Sequence, residues 1–250
     1  MTAVAIEAHG LGKDFGPVRA VDRLELEVRE AEFFALLGPN GAGKTTTVHL
    51  LATLLAPSRG TARVAGHDVV RQSVLVRRSI GLVFQETTLD RDLTVEENLR
   101  FAARLWDLPN GVATQRTEQL LQRFGLLTRR RDPVRALSGG QRRALDIARG
   151  ILHEPQILFL DEPTAGLDPG NRRLLWELIL GVRRSCGVTI FLTTHYLEEA
   201  EPCDRVAVLD HGRLVALGSP AALQREAGVG SLEEVFLART GYRLGDAQED

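Results

Sequence analysis

The chain has 250 residues, 44% of them apolar and 26% charged, with 33 acidic against 31 basic side chains and a formal net charge of −2. That length suits one domain, or one domain carrying an inserted subdomain, and the apolar share is enough to fill a core. Disorder, a collagen repeat and a small disulfide scaffold are excluded, and nothing in the charge balance suggests an electrostatic binder of nucleic acid.

In chain order, Ala3–Ala8 and Leu24–Val28 alternate apolar and polar residues, as half-exposed strands do. Phe33–Leu37 is continuously apolar and ends at Gly38, which predicts a strand buried on both faces. Thr61–Val64 and Ile80–Phe84 are the next strands. From Thr94 to about Gly150 the period becomes helical. Thr94 and Glu97 have capping-box spacing ahead of Leu99, Ala102, Ala103 and Leu105. A second helix is predicted over Val112–Phe124 and a third from Ser138 to Leu152. Strands then resume at Ile157–Leu160, Val188–Thr193, Arg205–Leu209 and Arg213–Ala216. After a break at Gly228–Gly230, Ser231 and Glu234 repeat the capping-box spacing before a last helix. The pattern is α/β with a mainly parallel sheet and a helical insertion.

Cys186 and Cys203 have neither CxxC nor metal spacing and read as buried small apolar residues in a reducing compartment. The N-terminus has no basic segment followed by an apolar one, so no secretory signal is expected. No run approaches the roughly 18 apolar residues that a membrane span requires. The run Arg129–Arg131 is flanked by Asp132 and lacks interleaved aromatics, which reads as a solvated face.

The sharpest local signal is Gly38-Pro39-Asn40-Gly41-Ala42-Gly43-Lys44-Thr45-Thr46, a GxxxxGK[ST] match between a strand and an apolar helix. Its glycines let backbone N–H groups turn inward around a phosphate, and the helix N-terminus adds a favourable dipole. Lys44 would neutralise phosphate charge and the Thr45 hydroxyl would hold Mg²⁺. This predicts binding of a nucleoside triphosphate; kinase, GTPase, helicase and transporter ATPase remain open at this point.

Downstream, Ile157–Leu160 delivers Asp161 and Glu162 at the C-terminal end of a strand, where open α/β sheets bind ligands. Asp161 is the second Mg²⁺ candidate and Glu162 the candidate general base. Leu137-Ser138-Gly139-Gly140-Gln141 opens the third inserted helix and is a second helix N-terminus suited to an anion. One nucleotide on the P-loop has no obvious way to engage both within one molecule.

The P-loop, the LSGGQ segment and Ile157-Leu-Phe-Leu-Asp-Glu-Pro-Thr-Ala-Gly-Leu-Asp168, in this order, resemble the ATP-binding subunit of an ABC transporter, from about Ala5 to Leu217. The resemblance implies a P-loop ATPase core with an antiparallel N-terminal β subdomain. It divides the chain into an ATP-binding domain over 1–218, with a helical subdomain at about 94–152, and a short helical tail over 219–250. It implies an ATP-dependent head-to-tail homodimer, in which Ser138, Gly139, Gly140 and Gln141 of one protomer face ATP on the other's P-loop. It further implies that Phe15 stacks on adenine and that Gln85 senses Mg²⁺ and the attacking water. Asp168 would belong to the loop crossing the dimer interface, and His195 would contact the γ-phosphate. Phe15 stands where tyrosine is commoner, and AGLD departs from the usual SALD.

The segments beginning at Gln85, Thr194, Asp210 and Ser231 resemble the daunorubicin/doxorubicin-resistance type of exporter ATPase. Such subunits work with a separate permease of about six spans, each a run of roughly 20 apolar residues that this chain lacks. The resemblance implies a place at the cytoplasmic face of a bacterial membrane, reached only through that permease, with ATP and Mg²⁺ bound and no nucleic-acid partner. The helical insertion and Glu86–Asp92 are the expected coupling surface. An importer ATPase and a soluble ABC ATPase stay open as alternatives, as do the transported substrate and pairing with a second, related subunit.

Overall fold

The computed structural model describes residues 3–241, apart from the side chain of Cys186. It begins with two long antiparallel strands, β1 (Val4–Phe15) and β2 (Val18–Arg29). Then come β3 (Phe33–Leu37), α1 (Lys44–Leu51), β4 (Arg59–Val64), β5 (His67–Asp68), α2 (Ser73–Ser79) and β6 (Ile80–Val83). Helices α3 (Val95–Leu105), α4 (Asn110–Arg123) and α5 (Gly139–Ile151) follow without an intervening strand. The chain continues through β7 (Ile157–Asp161), α6 (Pro169–Cys186), β8 (Thr189–Thr194) and α7 (Leu197–Ala200). It closes with β9 (Arg205–Asp210), β10 (Arg213–Gly218), α8 (Pro220–Ala227) and α9 (Leu232–Thr240).

Two sheets result. The first is antiparallel, in the order β2-β1-β4-β5. The second runs β10-β9-β3-β8-β7-β6 and is parallel except for its edge strand β10. Strand β3 lies inside the second sheet, and its continuous apolar run follows from that position. Phe33, Ala35 and Leu37 face a core shared with α3, α4, α5 and α6, while Phe34 and Leu36 face the first sheet and α1. Strand β8 divides likewise, and its Phe191 stacks on Phe34 with ring centroids 5.3 Å apart and meets Phe159 of β7 at 5.4 Å. The site loops are thus carried on strands fixed from both sides.

The helical insertion is held by caps as much as by packing. Thr94 accepts from Glu97 N while the Glu97 carboxylate accepts from Thr94 N, and Ser138 and Gln141 repeat the arrangement at α5. Each cap of this kind is worth about 1 kcal/mol. Arg129 pairs with Asp132 at 2.8 Å and Arg130 with Glu96 at 2.8 Å, so two of the three arginines of the basic run are answered by carboxylates on the surface.

Some elements differ from their sequence pattern for identifiable reasons. Strand β1 runs well past Ala8, to Phe15, because register shifts carry it through the glycines that break the alternation. Strand β6 stops at Val83, so Phe84 and Gln85 leave the sheet. Helices α2, α7 and α8 and the two-residue β5 carry no periodic signal long enough to read. Helix α9 turns Leu232, Val235 and Phe236 into the core, which packs that part of the tail on the domain; residues 242–250 lie outside the described residues.

Candidate active site

Strand β3 ends at Leu37 and the six residues Gly38–Gly43 lead around to the N-terminus of α1. The tight return is possible because Gly43 has φ 99°, and a Cβ there would lie 2.2 Å from the Ala20 carbonyl oxygen. No side chain caps α1, which leaves its first N–H groups to a ligand. Asn40, Gly41, Gly43, Lys44, Thr45 and Thr46 line one side of a cleft of about 480 Å³; Gln85, Glu162 and His195 line the other. Four segments far apart in sequence therefore meet at the C-terminal ends of β3, β6, β7 and β8.

Lys44 is buried. Its ammonium donates to the carbonyls of Gly38 (2.8 Å) and Pro39 (2.9 Å) and lies 3.0 Å from Glu162 Oε1. The other carboxylate oxygen, Glu162 Oε2, is 3.1 Å from His195 Nδ1. An ionised carboxylate only accepts, so this contact places the imidazole proton on Nδ1. Glu162 itself has φ 44°, in the left-handed region that non-glycine residues enter at a cost of about 1–3 kcal/mol. Its N–H donates to both the carbonyl and the hydroxyl of Thr193, at 3.2 and 3.0 Å. Those two bonds hold the carboxylate turned toward the cleft.

Burial by itself would push the Glu162 carboxyl up, but the hydrogen bond from His195 and the charge of Lys44 outweigh it and bring it down to about 2. Glu162 is thus ionised throughout the neutral range. Because about 2 lies below the ordinary 4.5, the group contributes stability in full above pH 4.5 and loses it as pH falls toward about 2. Titrating unfolding free energy with acid should show wild type losing ground to Glu162→Gln across that window. Parallel curves would mean that the carboxylate gains nothing from its partners.

Asp161 is buried at the end of β7, where its Oδ1 accepts from the hydroxyls of Thr193 (2.5 Å) and Thr45 (3.2 Å). A carboxylate and a hydroxyl side by side beneath a phosphate loop are hard oxygen donors of the kind Mg²⁺ takes, alongside substrate phosphates. Gln85 lines the same cleft.

The remaining sequence candidates lie elsewhere. Phe15 stands exposed where β1 turns to β2, with Lys13 Nζ 5.3 Å from its ring centroid, and it does not line the cleft. Ser138, Gly139, Gly140, Gln141 and Asp168 form a separate surface group. Asp168 caps α6 by accepting from Asn171 N at 3.1 Å, and a Cβ on Gly140 would come within 2.5 Å of Asn171 Oδ1. None of the five lines the cleft.

Residues with no motif of their own also enter the site. The Tyr196 ring packs on His195 with centroids 4.0 Å apart and carries the Arg172 guanidinium 4.1 Å from its centroid. Arg143 of α5 reaches the backbone of both Gln85 and Glu162, on the side of the cleft that faces the P-loop. The sequence signal for it was a charged triplet, Arg143, Asp146 and Arg149, at three-residue spacing on the buried face of a helix.

A family model described as ABC transporter matches residues 21–165, more than half of the chain. The chain belongs to the ABC transporter family. It is 44% identical over 248 residues to a daunorubicin resistance ATP-binding protein of Streptomyces coeruleorubidus, covering 99% of this chain and 78% of that one. It is also 44% identical over 220 residues to a Nod factor export ATP-binding protein of Ralstonia nicotianae, covering 87% of this chain and 68% of that one. A solved ATP-binding subunit of an ABC transporter superposes with a TM-score of 0.84 at 30% identity, covering 94% of this chain and 98% of that chain. The protein is an ABC ATPase, the ATP-binding subunit of a transporter. Its fold is the P-loop ATPase core with an antiparallel β subdomain and an inserted helical subdomain.

Proposed function

We propose that this ABC ATPase drives an exporter of drugs or other small molecules through a separate membrane permease. The observation that carries the reading is the cleft in which the P-loop, Gln85, Glu162 and His195 converge, joined with similarity along nearly the whole chain to subunits named for drug resistance and export. An importer ATPase would use the same cleft; the printed names of the relatives favour export. Among the described residues no helix is long and apolar enough to cross a membrane, and a permease on another chain would supply the spans.

In this reading the α1 N–H groups and Lys44 hold the β- and γ-phosphates, and Phe15 stacks on adenine. Thr45 and Asp161, with Gln85, would hold Mg²⁺. Bound there, Mg²⁺ would neutralise charge on the phosphate oxygens. As Lys44 turns from Glu162 to phosphate, the carboxylate loses one of the partners that depress it. Its basicity rises, which suits a group that must take a proton from the attacking water. His195, with Nδ1–H directed at Glu162, donates to a phosphate oxygen only as the imidazolium, from Nε2. Ser138, Gly139, Gly140, Gln141 and Asp168 lie outside their own protomer's cleft, which suits contact with ATP on a second copy in a head-to-tail homodimer.

A groove of about 360 Å³ between the core and the helical insertion is lined by Leu54, Ile80, Leu82, Phe101, Leu105 and Trp106. Phe101 and Leu105 are 57% and 68% exposed there. It suits an amphipathic helix on the cytoplasmic side of the permease. The test is affinity capture from native membranes with ATP present. A polytopic membrane protein should co-purify with wild type and be lost with Phe101→Asp/Leu105→Asp, while soluble ATP binding stays unchanged. Capture of ribosomal or DNA-repair proteins without any membrane protein would overturn the transport reading.

A further inference from the structure

One face of α5 carries three charged residues that its apolar surroundings do not call for. Arg143 is 6% exposed, and its guanidinium is directed at carbonyl oxygens and not at a carboxylate. Its Nε donates to Pro163 O at 2.5 Å and its Nη1 to Phe84 O at 2.5 Å. Its Nη2 donates to Gln85 O at 2.8 Å and Glu162 O at 3.2 Å. The nearest carboxylate, Asp146, is 3.8 Å away. Burial pulls the guanidinium below its usual range, though arginine stays charged.

The next two members of the row continue the grip. Asp146 accepts from Arg149 at 2.7 Å, and Arg149 Nη1 donates to Thr88 O at 2.9 Å, with a further bond to the Thr88 hydroxyl. The helix that presents Ser138–Gln141 at its N-terminus therefore holds the backbone of Phe84–Gln85, Thr88 and Glu162–Pro163 through side chains along one face. A buried cation is expensive to desolvate, and a structural ion pair would be answered by a carboxylate. Here it is answered by backbone oxygens of two separate segments, Phe84–Gln85 and Glu162–Pro163, on the side of the cleft that faces the P-loop. The planar fork of arginine suits that task; a lysine has one nitrogen with which to reach four carbonyls.

We propose that Arg143 is a positioning residue for ATP hydrolysis, setting Gln85 and Glu162 at one fixed separation and tying both to the helix that carries the LSGGQ segment. The inference rests on the reading of Gln85 and Glu162 as reacting residues. It makes any shift of α5 a shift of the hydrolytic side of the cleft, while the P-loop, which Arg143 does not touch, keeps its grip on nucleotide.

The experiment compares wild type, Arg143→Lys, which keeps the charge, and Arg143→Met, which keeps much of the volume without it. Nucleotide affinity, the fraction of sites that bind nucleotide and ATP turnover per bound site are measured together. Both variants should bind ATP with affinity within about twofold of wild type, and turnover per bound site should fall by about 30-fold, a change in kcat with KM preserved. Turnover per bound site equal to wild type would overturn the proposal. So would loss of nucleotide binding in both variants, because Arg143 would then be holding the fold and not the geometry. Glu162→Gln is assayed alongside. If it hydrolyses ATP normally, the reading of the reacting carboxylate fails. If it is inactive while both Arg143 variants are normal, only the positioning role fails.

Discussion

Glu162→Gln is expected to bind ATP normally and to hydrolyse it about 10²–10⁴-fold more slowly, the range that a positioned general base supplies. The substitution keeps the shape of the side chain and an oxygen that accepts from Lys44, 3.0 Å away in the wild type, so the P-loop should be little disturbed. What it removes is the capacity to accept a proton from water, at a site that Thr193 holds turned toward the cleft. With hydrolysis blocked, the ATP-bound form should accumulate as a head-to-tail dimer. Adding Ser138→Arg should return it to monomer, because in the proposed sandwich this exposed helix start would meet the other protomer's phosphate and a guanidinium would crowd it. Steady-state turnover and size-exclusion chromatography with and without ATP check both statements. A Glu162→Gln protein with full turnover would assign the base elsewhere, and an ATP-dependent dimer that tolerates Ser138→Arg would refute the sandwich.

Lys44→Ala should weaken ATP binding by about 100-fold, or about 2.7 kcal/mol. Hydrogen bonds that involve a charged group contribute about 1.5–3 kcal/mol each, and Lys44 is the cation lining the P-loop side of the cleft. The loss has a second source. In the free protein the ammonium satisfies the carbonyls of Gly38 and Pro39 and pairs with Glu162, so its removal also loosens the loop that must be ordered to receive phosphate. Lys44→Ala should also move the Glu162 carboxyl upward, toward its ordinary 4.5, leaving His195 as its remaining partner. Nucleotide titration by fluorescence or calorimetry measures the first effect, and acid titration of stability measures the second. Unchanged ATP affinity would sink the P-loop assignment.

Much of this molecule is written locally. Gly38–Thr46 declares a phosphate loop because glycine spacing, a preceding apolar run and a following helix are all short-range features. The capping boxes at Thr94, Ser138 and Ser231 are legible for the same reason, since donor and acceptor lie three residues apart. Strand β3 is legible as doubly buried from composition alone. Glu162 and Asp161 are legible as a strand-end carboxylate pair.

Tertiary structure decided what those residues do to one another. The pairing of Lys44 with Glu162 across 117 intervening positions, and of Glu162 with His195, depresses the carboxyl; no sequence spacing encodes it, because it depends on β3, β7 and β8 lying side by side. Arg143 belongs to no motif, and it grips two backbone segments because α5 packs its charged row inward. Phe15 and the Ser138–Gln141 group lie outside the cleft of their own phosphate loop. A motif states which groups can meet a nucleotide, since that is a matter of residue type and local backbone. Which of them meet each other first is set by the order of strands in the sheet and by the face a helix turns inward.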